Sequence, residues 1–163
     1  MPQRVMQYHL TSLWMLDAPV GAVWTELSHP EGWPAWWKGI VAVRLLEQGD
    51  GSGMGAYRSI TWQGLLASRR TFNVRTVRIQ PRALIESVAD GQLTGVGRWQ
   101  LTRLGTGTEV QHDWIINVSL PAIPLIGAIA GLLFRLNHRA LMEWGRRGLE
   151  SRVGVRSGLP PTT

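Results

Sequence analysis

Cysteine is absent from the 163 residues, so neither a disulfide nor a thiolate metal site can hold the chain together. Lysine is nearly absent too: Lys38 stands alone beside 16 arginines. Phenylalanine and tyrosine number two each against nine tryptophans, so most of the aromatic bulk is indole. No apolar run reaches the roughly 20 residues that a membrane-spanning helix needs. The nearest, LPAIPLIGAIAGLLF at 120–134, has 15 residues and two prolines, and it reads as a buried helix or an interfacial segment. Gln7, His9, Thr11 and Ser12 interrupt the N-terminal residues, so no signal peptide is expected. A cytoplasmic protein fits these absences.

What is present defines one domain. A chain of this length buries about 70% of its unfolded surface, enough for a core without staples. The net charge is +6, but the arginines are scattered, with no run longer than two and no basic cluster interleaved with exposed aromatics. Nucleic acid is therefore not an expected partner; acidic lipid head groups stay open as an electrostatic one. HPEGWPAWWKGIV at 29–41 holds Trp33, Trp36 and Trp37 within five positions. Its prolines and glycines exclude one long strand or helix.

Residues 7–16 alternate as a strand, with Leu10, Ser12, Trp14 and Leu16 on one face. DAPVGAVWTEL then reads as a helix, with Asp17 as its cap and Pro19 in its first turn. The tryptophan-rich stretch makes a second short helix after Pro30 or Pro34. From Ile40 to Val118 about six strands follow, separated by GDGSGMG, Pro81, the Asp90-Gly91 pair and the GTG at 105–107. Such a meander needs one covered face. A long helix from Pro121 or Pro124 to about residue 150 supplies the cover. Its wheel puts Arg135, Arg139, Glu143, Arg146 and Glu150 on one side, and Ala130, Phe134, Asn137, Leu141, Trp144 and Gly148 on the other. Residues 1–150 thus form the domain and 151–163 a frayed tail. The expected fold is α+β: a curved antiparallel sheet of about seven strands wrapped around a C-terminal helix, with two short helices after the first strand. An elongated internal cavity is expected between sheet and helix.

The ordered set LDAPVGAVWTELSHPEGWPAWWKGIV, GDGSGMG, DGQLTGVGRWQL, TEVQHDWIINV and FRLNHRALMEWGRRGL resembles the polyketide cyclase/dehydrase branch of the START-like (SRPBCC) superfamily, over about residues 7–150. The resemblance implies the helix-grip fold and a cavity for an apolar small molecule. It leaves the chemistry open, because members bind sterols, lipids, polyketides or hormones and many are not enzymes. Two departures stand out. Gly91-Gln92, with Asp90 ahead of it, replaces the expected glycine-aspartate pair, and His112 replaces an inward aromatic.

The cavity wall is expected from Trp14, Trp36, Trp62, Trp99, Trp114, Phe134 and Leu141, with Arg58, His112 and Asn137 as polar contacts. His112 shares a face with Val110, Trp114, Ile116 and Val118 by the period-2 rule. It is either a satisfied core histidine or the best general acid or base in the chain. Arg58 shares the phase of Ile60 and Trp62, so an inward guanidinium needs an anion, either Glu86 or a ligand carboxylate or enolate. Asn137 either pins the helix to a strand carbonyl or touches ligand. His138, at the flank, reads as a packing or surface residue. Gly95 and Gly97 face inward, for a bend or the close approach of the helix. Trp36 is expected to plug the interior, with another of the three rings partly exposed at its mouth. The four histidines lack paired-ligand spacing, so neither a metal nor a cofactor is expected. No nucleophile elbow or phosphate loop occurs.

Carriage of an apolar small molecule is the favoured function. A cyclase/dehydratase working through His112 and Arg58 is the alternative. A partner-binding or membrane-surface module is the third reading, with 120–134 as a membrane edge, lid or homodimer patch.

Overall fold

The computed structural model describes residues 3–66, 68–121 and 124–154, and the side chains of these except residues 3 and 120–126. In chain order the elements are β1 (Gln3–Leu16), α1 (Val20–Leu27), a 3-10 helix (Pro30–Ala35), β2 (Ile40–Glu47), β3 (Tyr57–Trp62), β4 (Arg70–Gln80), β5 (Leu84–Gly91), β6 (Thr94–Leu104), β7 (Gly107–Pro121) and α2 (Pro124–Val153). The strands form one sheet in the order β1-β7-β6-β5-β4-β3-β2, antiparallel at every seam. Register shifts in β2 and between Thr76 and Arg78 of β4 add the local bend and twist of bulges. The curved sheet, the long C-terminal helix and the two short helices are those expected from the sequence.

Alternation sets the inner faces of β1, β6 and β7. Val110, His112, Trp114, Ile116 and Val118 of β7 are all buried, as are Leu10, Trp14 and Leu16 of β1 and Leu93, Trp99 and Leu101 around β6. β1 begins four residues before the expected start, because Met6 and Tyr8 continue the same phase and Gln3 pairs with Pro121. The hairpin after β2 is tied by Asp50, whose Oδ1 accepts from the Ser52 and Met54 amides at 2.8 and 3.1 Å; Gly53 and Gly55 supply the positive φ of +90° and +80° that this turn needs.

Three local expectations are corrected. Asp17 does not cap α1: Pro19 occupies the cap position, and its carbonyl accepts from Ala22 and Val23 at 3.0 and 3.2 Å. None of the three clustered tryptophans is exposed; Trp33, Trp36 and Trp37 are all buried. The buried stripe of α2 consists of Gly127, Gly131, His138, Leu141, Met142, Gly145 and Leu149, about one residue round from the wheel centred on Asn137.

The reason for that rotation is close packing. Trp36 and Trp37, just past the 3-10 helix, lie directly on α2, where a Cβ at Gly145 would enter the Trp37 ring and one at Gly148 would run into the Trp36 carbonyl. Trp37 Nε1 donates to the Leu141 carbonyl at 2.8 Å, and Trp33 Nε1 donates to Glu26 at 3.1 Å. Small residues, weak on a hydropathy wheel, thus mark the tightest contact. The helix runs on to Val153; residues 155–163 of the expected tail lie outside the described residues. Replacing Gly148 with alanine gains up to about 1 kcal/mol in helix propensity but overpacks against backbone. The expected net result is a loss of about 1–3 kcal/mol in unfolding free energy, read by urea denaturation.

Candidate functional site

Between α2 and the concave face of the sheet lies a cavity of about 100 Å³. Trp33 and Trp37 close one end, Ile60, Trp62, Phe72 and Val74 come from β3 and β4, and Trp99, His112 and Trp114 from β6 and β7. His138, Leu141 and Met142 of α2 form the roof. The expected elongated cavity is corrected to this small one. Seven of the nine tryptophans are buried, and their rings meet edge-on or tilted at 5.2–6.1 Å around Trp37 and Trp99, filling what a smaller side chain would leave open. Three further hollows share walls with it: about 620 Å³ between β1 and α2, bordered by Trp14, Arg135, His138 and Glu143, about 150 Å³ beside Trp62 and Phe134 and about 50 Å³ beside Trp33 and Arg58.

The polar content of the central cavity is narrow. His112 stacks on Trp99 with ring centroids 4.1 Å apart, across the register position where β6 Trp99 faces β7 His112. His138 comes down from α2 nearly parallel to it, at 6.4 Å and 22°, and lies 5.4 Å from Trp114. Opposite Trp114 stands Gly97, whose missing side chain leaves room for the two rings rather than for the helix. His112 Nδ1, His138 Nε2 and Trp62 Nε1 are buried with no hydrogen-bond partner among the described residues. Such atoms cost about 1–3 kcal/mol each when left unpaired.

Electrostatics keep both imidazoles neutral. Burial pulls His112 down to about 3, the neighbouring His138 pulls the same way, and Asp113 opposes. Burial alone pulls His138 down to about 4. Asp113 points away from the cavity, held by Thr11 at 2.7 Å and Gln111 at 2.8 Å. Among the described residues no Asp, Glu, Lys or Arg lines the cavity. Among the described residues, no three His, Asp or Glu side chains converge as metal ligands would.

The expected site residues are only partly brought together. Trp62, Trp99, His112, Trp114 and Leu141 line the central cavity. Trp36 does not: it stacks behind Trp37 at 5.5 Å and 18°. Trp14 supports Trp37 and Trp99 from the β1 side. Phe134 and Asn137 border the void beside Trp62. Asn137 is half-buried, and its Oδ1 accepts from the backbone amides of Leu65 and Leu66 at 2.6 and 3.4 Å. It pins a loop, where a strand carbonyl was expected. Arg58 faces inward but lies beyond the cavity's end, its Nε on Glu31 Oε1 at 2.6 Å. Glu86 is taken instead by Arg98 at 2.8 Å. His138 was expected at the flank and is a cavity residue. The spacing of His138, Leu141, Met142, Gly145 and Leu149 would have found it, had glycine been counted as a contact position.

Residues 9–154 match the family described as polyketide cyclase/dehydrase and lipid transport, and the chain belongs to it. Among solved structures, a START superfamily protein from Mycobacterium smegmatis is 17% identical with a TM-score of 0.69, covering 89% of this chain and 96% of that one. The Zhui aromatase/cyclase from Streptomyces sp. R1128 is also 17% identical with a TM-score of 0.69, covering 94% and 100%. Ginseng major latex-like protein 151 from Panax ginseng has a TM-score of 0.69 at 13% identity, covering 94% and 99%. At these identities the likeness is one of fold. No curated protein matches the chain.

The histidine pair makes stability depend on pH. Both native values lie below the ordinary 6.5, so below that pH the unfolded chain binds protons that the native state refuses. Stability is therefore full above about pH 6.5 and lost as pH falls toward 4, with a slope approaching about 1.4 kcal/mol per pH unit for each ring. His112→Phe is expected to halve the slope between pH 6 and 5 in urea titrations.

Proposed function

We propose that this chain binds and carries a small uncharged molecule with an aromatic or otherwise apolar body and one or more hydrogen-bonding groups, held between the sheet and α2. The observation that carries this reading is the set of unpartnered atoms in a wall that is apolar apart from them and Ser87. Trp62 Nε1 is a donor, and His112 Nδ1 and His138 Nε2 each donate or accept according to tautomer. A hydroxyl or carbonyl of a ligand would pair them. A charged ligand would find no countercharge there, and an unpaired buried charge is expensive.

Size narrows the class. A dry cavity of about 150 Å³ holds a benzene ring, so the central cavity of about 100 Å³ suits a molecule of about one ring. Anything longer must join it to the neighbouring void across Trp62.

Carriage is favoured over cyclase or dehydratase chemistry by the state of the histidines. With values of about 3 and 4, about one ring in a thousand or fewer is protonated at pH 7, which makes them poor acids and weak bases. Arg58, the expected enolate stabiliser, is engaged by Glu31 outside the cavity.

Native mass spectrometry of protein purified without detergent, followed by solvent extraction, would show a bound neutral aromatic or apolar compound. Titration with acetophenone, one ring with one carbonyl, is expected to quench tryptophan fluorescence. Leu141→Trp, which fills the cavity, should abolish that quenching, and His138→Phe should weaken binding about 2- to 10-fold by removing one hydrogen bond. A charged extracted ligand, or quenching unaffected by Leu141→Trp, overturns the reading.

A further inference from the structure

We propose that the N-terminal half of α2, together with the Leu65–Leu66 loop between β3 and β4, docks onto an anionic lipid surface. Ile129, Leu132, Leu133 and Leu136 recur at helical spacing on the outer side of α2 and are 51%, 59%, 41% and 47% exposed. Leu65 and Leu66 are 63% and 46% exposed. The two groups make one patch, because the hydrogen bonds from the Leu65 and Leu66 amides to Asn137 fasten the loop to the helix. Leu66 and Leu133 also line the same surface void. Exposed leucines occurring singly are ordinary. Six held together by a helix and a tethered loop form an interaction surface.

The charge around the patch says what covers it. Arg69 and Arg70 flank the loop, Arg135 and Arg139 flank the helix stripe, and all four are exposed. No Asp or Glu occurs at 51–85 or at 114–142, the stretches that supply the whole patch. The carboxylates of α2, Glu143 and Glu150, lie toward its other end and are held by Arg146 and Arg147. Leucines ringed by arginines, without acids, fit an interfacial helix on a negatively charged bilayer: the apolar side chains enter the acyl boundary and the guanidinium groups meet phosphates. A second copy of this chain packed on the same face would set arginines against arginines, which disfavours it. Among the described residues no helix is long and apolar enough to cross a membrane, so the contact is peripheral. Side chains at 120–126 lie outside the described residues, and the surface is defined by 65–66 and 129–139.

The position of the patch connects it to the cavity. The void of about 150 Å³ beneath it is lined by Leu66, Leu133, Phe134 and Trp62, and Trp62 also walls the central cavity. A docked molecule would present to the bilayer the side nearest Trp62. The docking itself does not depend on the cavity being a carrier site.

Flotation tests it with vesicles of equal parts phosphatidylglycerol and phosphatidylcholine against phosphatidylcholine alone. The wild-type protein at low salt is expected to float with the anionic vesicles only, and to be released at about 1 M salt, where screening is short-ranged. Leu132→Glu/Leu136→Glu, at exposed positions that leave the core intact, should lower the floated fraction roughly tenfold with an unchanged circular dichroism spectrum. Arg69→Gln/Arg139→Gln should lower it severalfold, which keeps the test valid if the leucine variant misfolds. Wild-type protein left at the bottom with anionic vesicles overturns the proposal, as does undiminished flotation of both variants. A dimer by light scattering that the leucine variant makes monomeric, with no flotation, also overturns it and assigns the face to a second copy. None of these readouts uses a cavity ligand, so they fail or succeed separately from the carrier reading.

Discussion

The buried hydrogen bond from Trp37 Nε1 to the Leu141 carbonyl is the contact on which the concave side depends. It holds the Trp36–Trp37 turn that follows the 3-10 helix against α2, where Gly145 and Gly148 leave no side chain between them. From that point Trp37 reaches Trp14, Trp33, Trp36 and Trp99, tying β1 and β6 to the helical layer. A glycine helix face costs helix propensity, about 1 kcal/mol per residue. The cost is offset by burying three indoles, each worth several kcal/mol of apolar surface. The position of α2 over the sheet, and hence the cavity roof, follows from this seam.

Filling a grip with tryptophan has chemical consequences. Indole rings remove most of the space that the curved sheet would otherwise enclose, and they remove water with it. His112 and His138 are then held in a dry aromatic stack where protonation is penalised by desolvation and, for His112, by the other ring. Neutral imidazoles, an indole N–H without a partner and Ser87 remain as the polar features of the chamber. Such a wall recognises a hydroxyl or a carbonyl by hydrogen bonding and discriminates against charge. The basic and acidic side chains that the fold does carry are spent away from this chamber. Arg98 with Glu86, Arg58 with Glu31 and the Glu143–Arg146–Glu150 ladder are examples.

Much of the fold was legible because strand signals are local. In β7 the period of two alone put His112 beside Trp114 on the inner face, and in β6 it put Gly97 beside Trp99; both proved right. Arg58 was also in phase, but phase says nothing of distance along the strand, and Glu31 meets it at the end away from the cavity. The helix was read less well. An apolar face spread over 30 residues allows several rotations of the wheel, and a rotation by one residue exchanges Asn137 for His138. Only the backbone of Trp36 and the ring of Trp37, pressing on glycines, select one.

The sequence by itself determined the order of the elements, the inner faces of β1, β3, β6 and β7, the family, and the concentration of aromatic bulk in indole. These depend on neighbours in the chain, on turn chemistry and on composition. Tertiary structure alone decided that all three clustered tryptophans are buried, that the cavity is small, that His138 meets His112, and that the leucines of α2 remain outside beside Leu65 and Leu66. Each of these depends on packing between segments up to about a hundred residues apart, as from Trp37 to Leu141. No local period encodes the angle at which a helix settles on a sheet.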